Sequence, residues 1–447
     1  MADTDRHESN PVPVESGQSI PTARMMLLFT VMLVTAAGNT AMQSVMPSIG
    51  TALGVQDFWI SLAYTWSALL WVICAPFWAR KSDQRGRKAM MALGLTGFIV
   101  SMSFCALALW LGLAGWLPAV WTLVLFAMAR SLYGGFGSAA PPAVQAYVAS
   151  RTPRSQRTQA LSLIASSFGL GTVLGPALAP LLVMPGLGLT GPFVAFALTA
   201  VVALVALRLR LPDDEPSYPA RGQTFQEPFS VGSPLAQEEE LLIDDDVRTR
   251  LGWWEPRVRP WVITGLLGGH AQAMVLGIAG FLVLDRLGLR GDPMAGAGPV
   301  GLVLMSGALA TLLAQWGVIP RLGLGPRAAT LSGAAVAMLG VIMFSFAQGI
   351  HQIALGYAIA SLGFGLNRPG VTAGTSLAVT RAEQGEASGI VASTAGAAYV
   401  FAPALGVWLY NVSEPLAFTL IAALCVAVLI FGWRRLGSDT DLTRDRS

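Results

Sequence analysis

Charge is scarce in this 447-residue chain: 12% of its residues are Asp, Glu, Lys or Arg, 54% are hydrophobic, and mean hydropathy is +0.59. A soluble domain carries about 25% charged residues, and a chain with half of that cannot cover a water-facing surface. Cysteine is limited to Cys74, Cys105 and Cys425, each inside an apolar stretch, which excludes a disulfide framework and a clustered thiolate site. Each reads as a small buried hydrophobe. Histidine is limited to His7, His270 and His351, too few and too dispersed for a histidine-rich metal centre. No clustered nucleophile, acid/base pair or HExxH pattern accompanies them. A membrane-embedded enzyme is therefore disfavoured, and neither cofactor nor metal is expected. The net charge of +3 is small and spread among loop ends, so no nucleic-acid partner is expected.

What the chain does have is a succession of apolar runs of about 20 residues, the length that spans a hydrocarbon core of about 30 Å as a helix. The runs fall near 25–48, 57–79, 88–112, 117–146, 158–184, 191–210, 260–284, 297–320, 327–347, 350–378, 387–411 and 414–434. The expected fold is an all-α membrane protein with twelve transmembrane helices in two pseudo-symmetric six-helix bundles, its partner the lipid bilayer. The polar first 24 residues precede an apolar run too long for a signal-peptide core, so the first span is retained.

Basic residues set the orientation. The loop after span 2 carries Arg80, Lys81, Arg85, Arg87 and Lys88; that after span 4 carries Arg151, Arg154 and Arg157; Arg208 and Arg210 close span 6. The loops near 49–56, 113–116 and 185–190 have neither Lys nor Arg. Both termini are expected in the cytoplasm, in a multi-pass protein of a bacterial-type inner membrane. Arg286 and Arg290 oppose this pattern, whereas Arg321, Arg327 and Arg381 follow it.

Composition shifts once, where Pro212, Pro216, Pro219, Pro228 and Pro234 precede the acidic run Glu238–Glu240 and Asp244–Asp246. The organisation expected is a cytoplasmic tail over 1–24, a bundle over 25–210, a solvated linker over 211–259, a second bundle over 260–435 and a tail over 436–447. Trp253, Trp254 and Trp261 at the linker exit suit an interfacial aromatic belt. The halves resemble each other. Gly135-Phe136-Gly137 followed by Pro141 recurs as Gly363-Phe364-Gly365 followed by Pro369, and Pro176-Ala177-Leu178 recurs as Pro403-Ala404-Leu405. Duplicated halves put a substrate path on the pseudo-symmetry axis and make rocking of one half against the other the transport cycle.

The segment Ala79-Arg80-Lys81-Ser82-Asp83-Gln84-Arg85-Gly86-Arg87-Lys88 is similar to the GxxxDxxGRK signature of the major facilitator superfamily, with Ala79 in place of its first Gly. Over nearly its whole length the chain resembles that family, in its drug/proton antiporter-like branch. Gly86 permits a tight turn, and Asp83 can face a helix N-terminus with Arg87 as partner. The resemblance implies a conformational latch at Asp83, Gly86, Arg87 and Lys88; a purely topogenic basic cluster is the alternative. The second-half turn Arg321-Leu322-Gly323-Leu324-Gly325-Pro326-Arg327 lacks the acid.

Arg130-Ser131-Leu132-Tyr133-Gly134 resembles the family's RxxxG pattern, whose arginine is linked to proton transfer. An arginine satisfied by backbone carbonyls is the alternative. Burying it at mid-span costs about 2.5–3.5 kcal/mol on insertion scales. Gly171-Thr172-Val173-Leu174-Gly175-Pro176 resembles the antiporter GxxxGP pattern, which tilts the expected direction outward; its other reading is a close-packed helix seam. The chain departs from that branch in span 1, which offers Asn39 and Gln43 but no acid. His270, able to exchange a proton near neutral pH, is the leading replacement, with Asp57 and Asp285 near the ends of spans 2 and 7 as the others. Their structural readings are a hydrogen-bonded histidine and helix caps. Asn39, Gln43, Tyr133, Gln272, Asn367, Arg368 and Tyr399 are the expected cavity residues, or else interhelical hydrogen bonders. Arginines without a central acid incline the cargo toward neutral, amphipathic or anionic molecules, siderophore-like metabolites among them. The expected function is proton-coupled export of a multidrug or metabolite substrate by a monomer; the alternative is a proton-coupled metabolite importer of the same fold.

Overall fold

Apolar segments of this length have one way to satisfy every backbone N–H and C=O without water, which is to close into helices, and helices make up nearly all of the structure. A computed structural model describes residues 20–152, 154–212, 251–252, 254–379 and 384–438. His7, Trp253, Arg381 and most of the expected linker lie outside the described residues, as do the side chains of Arg80, Asp83, Arg154 and Arg157.

The first half comprises α1 (Thr22–Ala52), α2 (Asp57–Arg85), α3 (Arg87–Leu113), α4 (Ala119–Phe136), α5 (Ala140–Arg151), α6 (Arg154–Leu178) and α7 (Gly191–Arg210). The second comprises α8 (Arg259–Arg286), α9 (Pro293–Leu312), α10 (Ile319–Leu322), α11 (Pro326–Phe346), α12 (Ile350–Leu377), α13 (Gln384–Val412) and α14 (Glu414–Arg435). α4 runs through a 3-10 turn into α5, and α9 through a π-helical turn into α10, so fourteen helices make twelve rods. Among the described residues ten rods are long and apolar enough to cross a membrane; the other two are the fifth, apolar over Ser166–Leu182, and the tenth, α12. Their outward surface carries exposed large hydrophobics such as Phe77, Leu198, Leu209, Phe346 and Ile430, as a lipid-facing surface does. With twelve rods, α1 begins and α14 ends at one face, the terminal face; Asp57 and Arg286 mark the far face.

Local chemistry explains the boundaries. Gly86 joins α2 to α3 at φ 87°, ψ 145°, a backbone region that side-chain-bearing residues rarely enter. Arg85, Arg151, Arg208 and Arg210, and Arg434 and Arg435 close α2, α5, α7 and α14 at the terminal face, where a cation meets the negative end of the helix dipole. The repeated Gly-Phe-Gly segments differ in outcome. Tandem Pro141 and Pro142 remove two donors, and the fourth rod tightens to 3-10 geometry over Gly137–Ala139. Single Pro369 removes one, and α12 continues through it.

Two tryptophans at the linker exit part company. Trp254 is 71% exposed, but Trp261 is 2% exposed and lies against Gly374 of α12 with Val371 and Leu436. Trp261 is a core residue and not the belt anchor expected, because the small Gly374 opens a socket for its ring. Cys105 and Cys425 are buried and Cys74 half-buried.

Candidate functional site

A cavity of about 850 Å³, its open mouth included, lies between the halves. From the first half α1 contributes Asn39, Gln43, Met46 and Pro47; α2 contributes Ile60, Ser61, Tyr64, Ser67, Ala68 and Trp71; α4 contributes Arg130 and Tyr133. From the second half come Leu276, Gly277, Gly280 and Phe281 of α8, Leu304 of α9, and Tyr399 and Pro403 of α13.

Arg130 is 3% exposed. Its backbone is fixed because the Ser67 hydroxyl donates to the Arg130 carbonyl (3.1 Å), and Gly134, one turn on, lets α4 close onto α2 at Ser67. Its Nη2 donates to Asn39 Oδ1 (3.1 Å), and its guanidinium lies 5.0 Å from the Tyr133 ring centroid and 5.5 Å from that of Tyr64. Trp71 and Phe98 hold the Tyr133 ring at centroid distances of 5.1 and 5.4 Å. Arg130 Nε and Nη1, Asn39 Nδ2 and the Tyr64 hydroxyl are buried without a hydrogen-bond partner. Among the described residues that line the cavity there is no Asp, Glu, Lys or His.

Toward the far face the halves close on each other. Gly280 packs against Pro47, and a Cβ at Gly301 of α9 would lie 2.6 Å from the Pro176 carbonyl oxygen of α6. Beyond them, Arg290, in a 3-10 turn between α8 and α9, clasps Asp57 of α2 with two parallel bonds, Nη1–Oδ1 and Nη2–Oδ2, both 2.7 Å. Its Nε also donates to Asp285 Oδ1 (2.7 Å) and its Nη1 to Thr51 Oγ1 (3.3 Å), while the Tyr410 hydroxyl donates to Asp285 Oδ2 (2.8 Å). The Asp57 bonds push the arginine pKa above its ordinary value against the effect of burial, with Asp285 adding to the rise. The cation is therefore retained at every pH below the ordinary arginine range. Arg286 is likewise neutralised, by Glu414, and donates to the Ser345 carbonyl (3.0 Å). The two arginines that oppose the positive-inside pattern are thus both paired with carboxylates.

The structure brings Asn39, Gln43, Tyr133, Tyr399 and Arg130 together in the cavity and places Gln272, Asn367 and Arg368 outside its lining. Asn367 donates to the Thr330 carbonyl (3.1 Å) and abuts Gly268, a helix-to-helix tie. Gln272 and Arg368 are half-buried. His270 is half-buried on α8, its Nδ1–H donating to the Leu266 carbonyl one turn back (2.7 Å). Gly171 and Gly175 face α1, where added Cβ atoms would strike Ala36 and Thr40, and the Thr40 hydroxyl donates to the Gly171 carbonyl (3.3 Å). They form a seam inside the first half, while Pro176 faces the second. Arg87 is buried and Lys88 half-buried beside Gly86. Sequence reasoning missed Tyr64, Trp71 and Phe281, which read as ordinary apolar-span residues, and the pairing of Arg290; its out-of-place charge and the nearby Asp57 and Asp285 were the available signal.

A family model described as Major Facilitator Superfamily matches residues 28–379. The chain is 27% identical over 317 residues to "Multidrug resistance protein MdtG" of Citrobacter koseri, covering 68% of each chain. It is 31% identical over 134 residues to "Multi-drug resistance efflux pump PmrA homolog" of Lactococcus lactis, so that it spans 30% of that relative's length. The fold matches the crystal structure of a POT family transporter in complex with 5-aminolevulinic acid at TM-score 0.68 and 14% identity, over 94% of this chain and 97% of that one.

Proposed function

The chain belongs to the Major Facilitator Superfamily, and on that premise we propose that it is a secondary active exporter of small molecules, working by alternating access with protons as the counter-flowing species. The observation that carries this reading is a cavity built from both halves and sealed at one end only by contacts between them. Rocking the halves apart at that end exposes the same cavity to the other side. The terminal face, with its basic helix ends, is cytoplasmic; the far face, whose Arg286 and Arg290 are neutralised, is external. The cavity is then closed to the outside in this conformation. The outward direction is supported by the multidrug-resistance and efflux names of the relatives and by the GxxxGP seam.

External protons act on the outer clasp as a gate, and the residue that carries the counter-flowing proton across is one of His270, Asp57 and Asp285. The carboxylates Asp57 and Asp285 face Arg290, with Tyr410 and Thr51 as their uncharged neighbours. A proton arriving from outside on Asp57 replaces a charge-assisted bidentate pair with a weaker contact between the Arg290 cation and an uncharged carboxyl. That loosens the outer closure.

Inside-out vesicles with an acid interior and a pH-sensitive dye test the reading against a panel of hydrophobic drugs and metal-chelating metabolites. Cargo added outside should release interior protons, and Arg130→Ala should abolish the release. Gradient collapse only when cargo is preloaded inside would mean symport, and hence import.

A further inference from the structure

We propose that the cavity selects amphipathic organic anions, whose carboxylate or sulfonate oxygens take up the unpaired donors of Arg130 while an apolar body lies against the surrounding rings. This deepens the transport reading by naming the class of cargo, and it rests on the cavity being the transport path. The argument begins with a charge that the protein leaves uncompensated. Arg130 is 3% exposed, and the described residues lining its cavity include no carboxylate. Its protein partners are the Asn39 amide oxygen and the faces of Tyr64 and Tyr133. A cation–π contact recovers less than the desolvation of an ion costs.

The polar atoms left over share one character. Arg130 Nε and Nη1 and Asn39 Nδ2 can only donate, and the Tyr64 hydroxyl has a proton to give. Three side chains from three helices, all of them lining one cavity, therefore hold buried donors without a partner, and a guest rich in acceptor oxygens that reaches them satisfies them more completely than water or a neutral amide does. An ammonium guest meets a like charge with no carboxylate to offset it. Trp71, Phe281 and Leu304 complete the walls, so the anionic group must be attached to an apolar, preferably flat, body.

Binding tests this without any gradient, so its failure is separable from failure of the antiport reading. Purified full-length protein in detergent is titrated calorimetrically, near neutral pH, with 2-naphthoate, 2-naphthamide and 2-naphthylmethylammonium, which share one ring system and differ in charge. The naphthoate should bind about tenfold or more tighter than the amide, as a hydrogen bond to a charged group requires, and the ammonium should bind weakest. Arg130→Gln should bring the naphthoate level with the amide, and Arg130→Lys, which keeps the charge, should retain the anion preference. Should Arg130→Gln fail to fold, the wild-type series and Arg130→Lys carry the test. Equal affinities, tighter binding of the ammonium, no binding of any probe by folded protein, or an anion preference that survives in Arg130→Gln would overturn the proposal.

Discussion

Arg130 and Arg290 both sit where the two halves meet, and the protein provides for them in opposite ways. Arg290, near the far face, is held by two carboxylates from opposite halves, with a threonine hydroxyl in addition. Arg130, buried deeper, has one amide oxygen and two aromatic faces. If arginines served only to hold helices together, the more buried one should be the better paired, because an unpaired ion costs more as burial increases. The reverse arrangement supports the proposed reading, in which Arg290 is a fastening made and broken within the protein and Arg130 is half of an interaction completed from outside it.

The largest effect should come from breaking the central side of this contrast. Arg130→Gln should lower transport of an anionic cargo in vesicles about 10- to 100-fold while leaving the melting temperature within a few degrees; a collapse of stability with normal residual transport would make Arg130 structural. Next is the fastening itself. Asp57 joins Arg290 across the halves, whereas Asp285 joins it within the second half. With the three native cysteines replaced, Ser48→Cys, which lies against Gly296 at the closed end, reports access from outside. Asp57→Asn should raise its labelling by an impermeant maleimide about tenfold, and Asp285→Asn should change it much less. Equal responses would erase the distinction between a cross-half bond and a local one.

Smaller still is Gly175→Ala, which forces a methyl against Thr40 and the Ala37 carbonyl inside the first half. It should cost about 1–3 kcal/mol of stability, read as a lower melting temperature, without altering the Ser48→Cys labelling ratio. The smallest is Tyr64→Phe. It keeps the ring beside Arg130 and removes one donor, so naphthoate affinity should fall less than about fivefold.

The twelve rods were legible because apolar length is a one-dimensional property, and most span limits read from the sequence fall within a few residues of the helices. The fourth span, expected over 117–146, is one rod over Ala119–Val148; its apolar length does not reveal the 3-10 geometry at Gly137–Ala139, which depends on which carbonyls the tandem prolines leave without donors. For the cavity, a polar residue in an apolar span announces that it faces protein, and Asn39, Gln43, Tyr133 and Tyr399 were found that way. The same signal singled out Asn367, which faces a neighbouring helix. Polarity tells inside from lipid but not cavity from seam. Tyr64, Trp71 and Phe281 were missed for the converse reason, because an aromatic ring suits lipid and cavity alike and only helix rotation decides. The Asp57–Arg290 pair spans 233 positions of sequence, a separation at which no local pattern operates.

The bond between Arg130 and Asn39 joins α4 to α1, two helices of the same half. Apart from the Tyr399 hydroxyl, the other half offers the cavity side chains of carbon alone: Leu276, Phe281, Leu304 and Pro403. One half is thus the hand and the other a smooth wall. On the proposed reading, an anion gripped by the hand travels with it as the bundles rock, and the wall slides past without a charged bond to tear. The barrier to turning the site around and the affinity of the site are then set by different parts of the molecule, so that tighter cargo binding need not slow the turn.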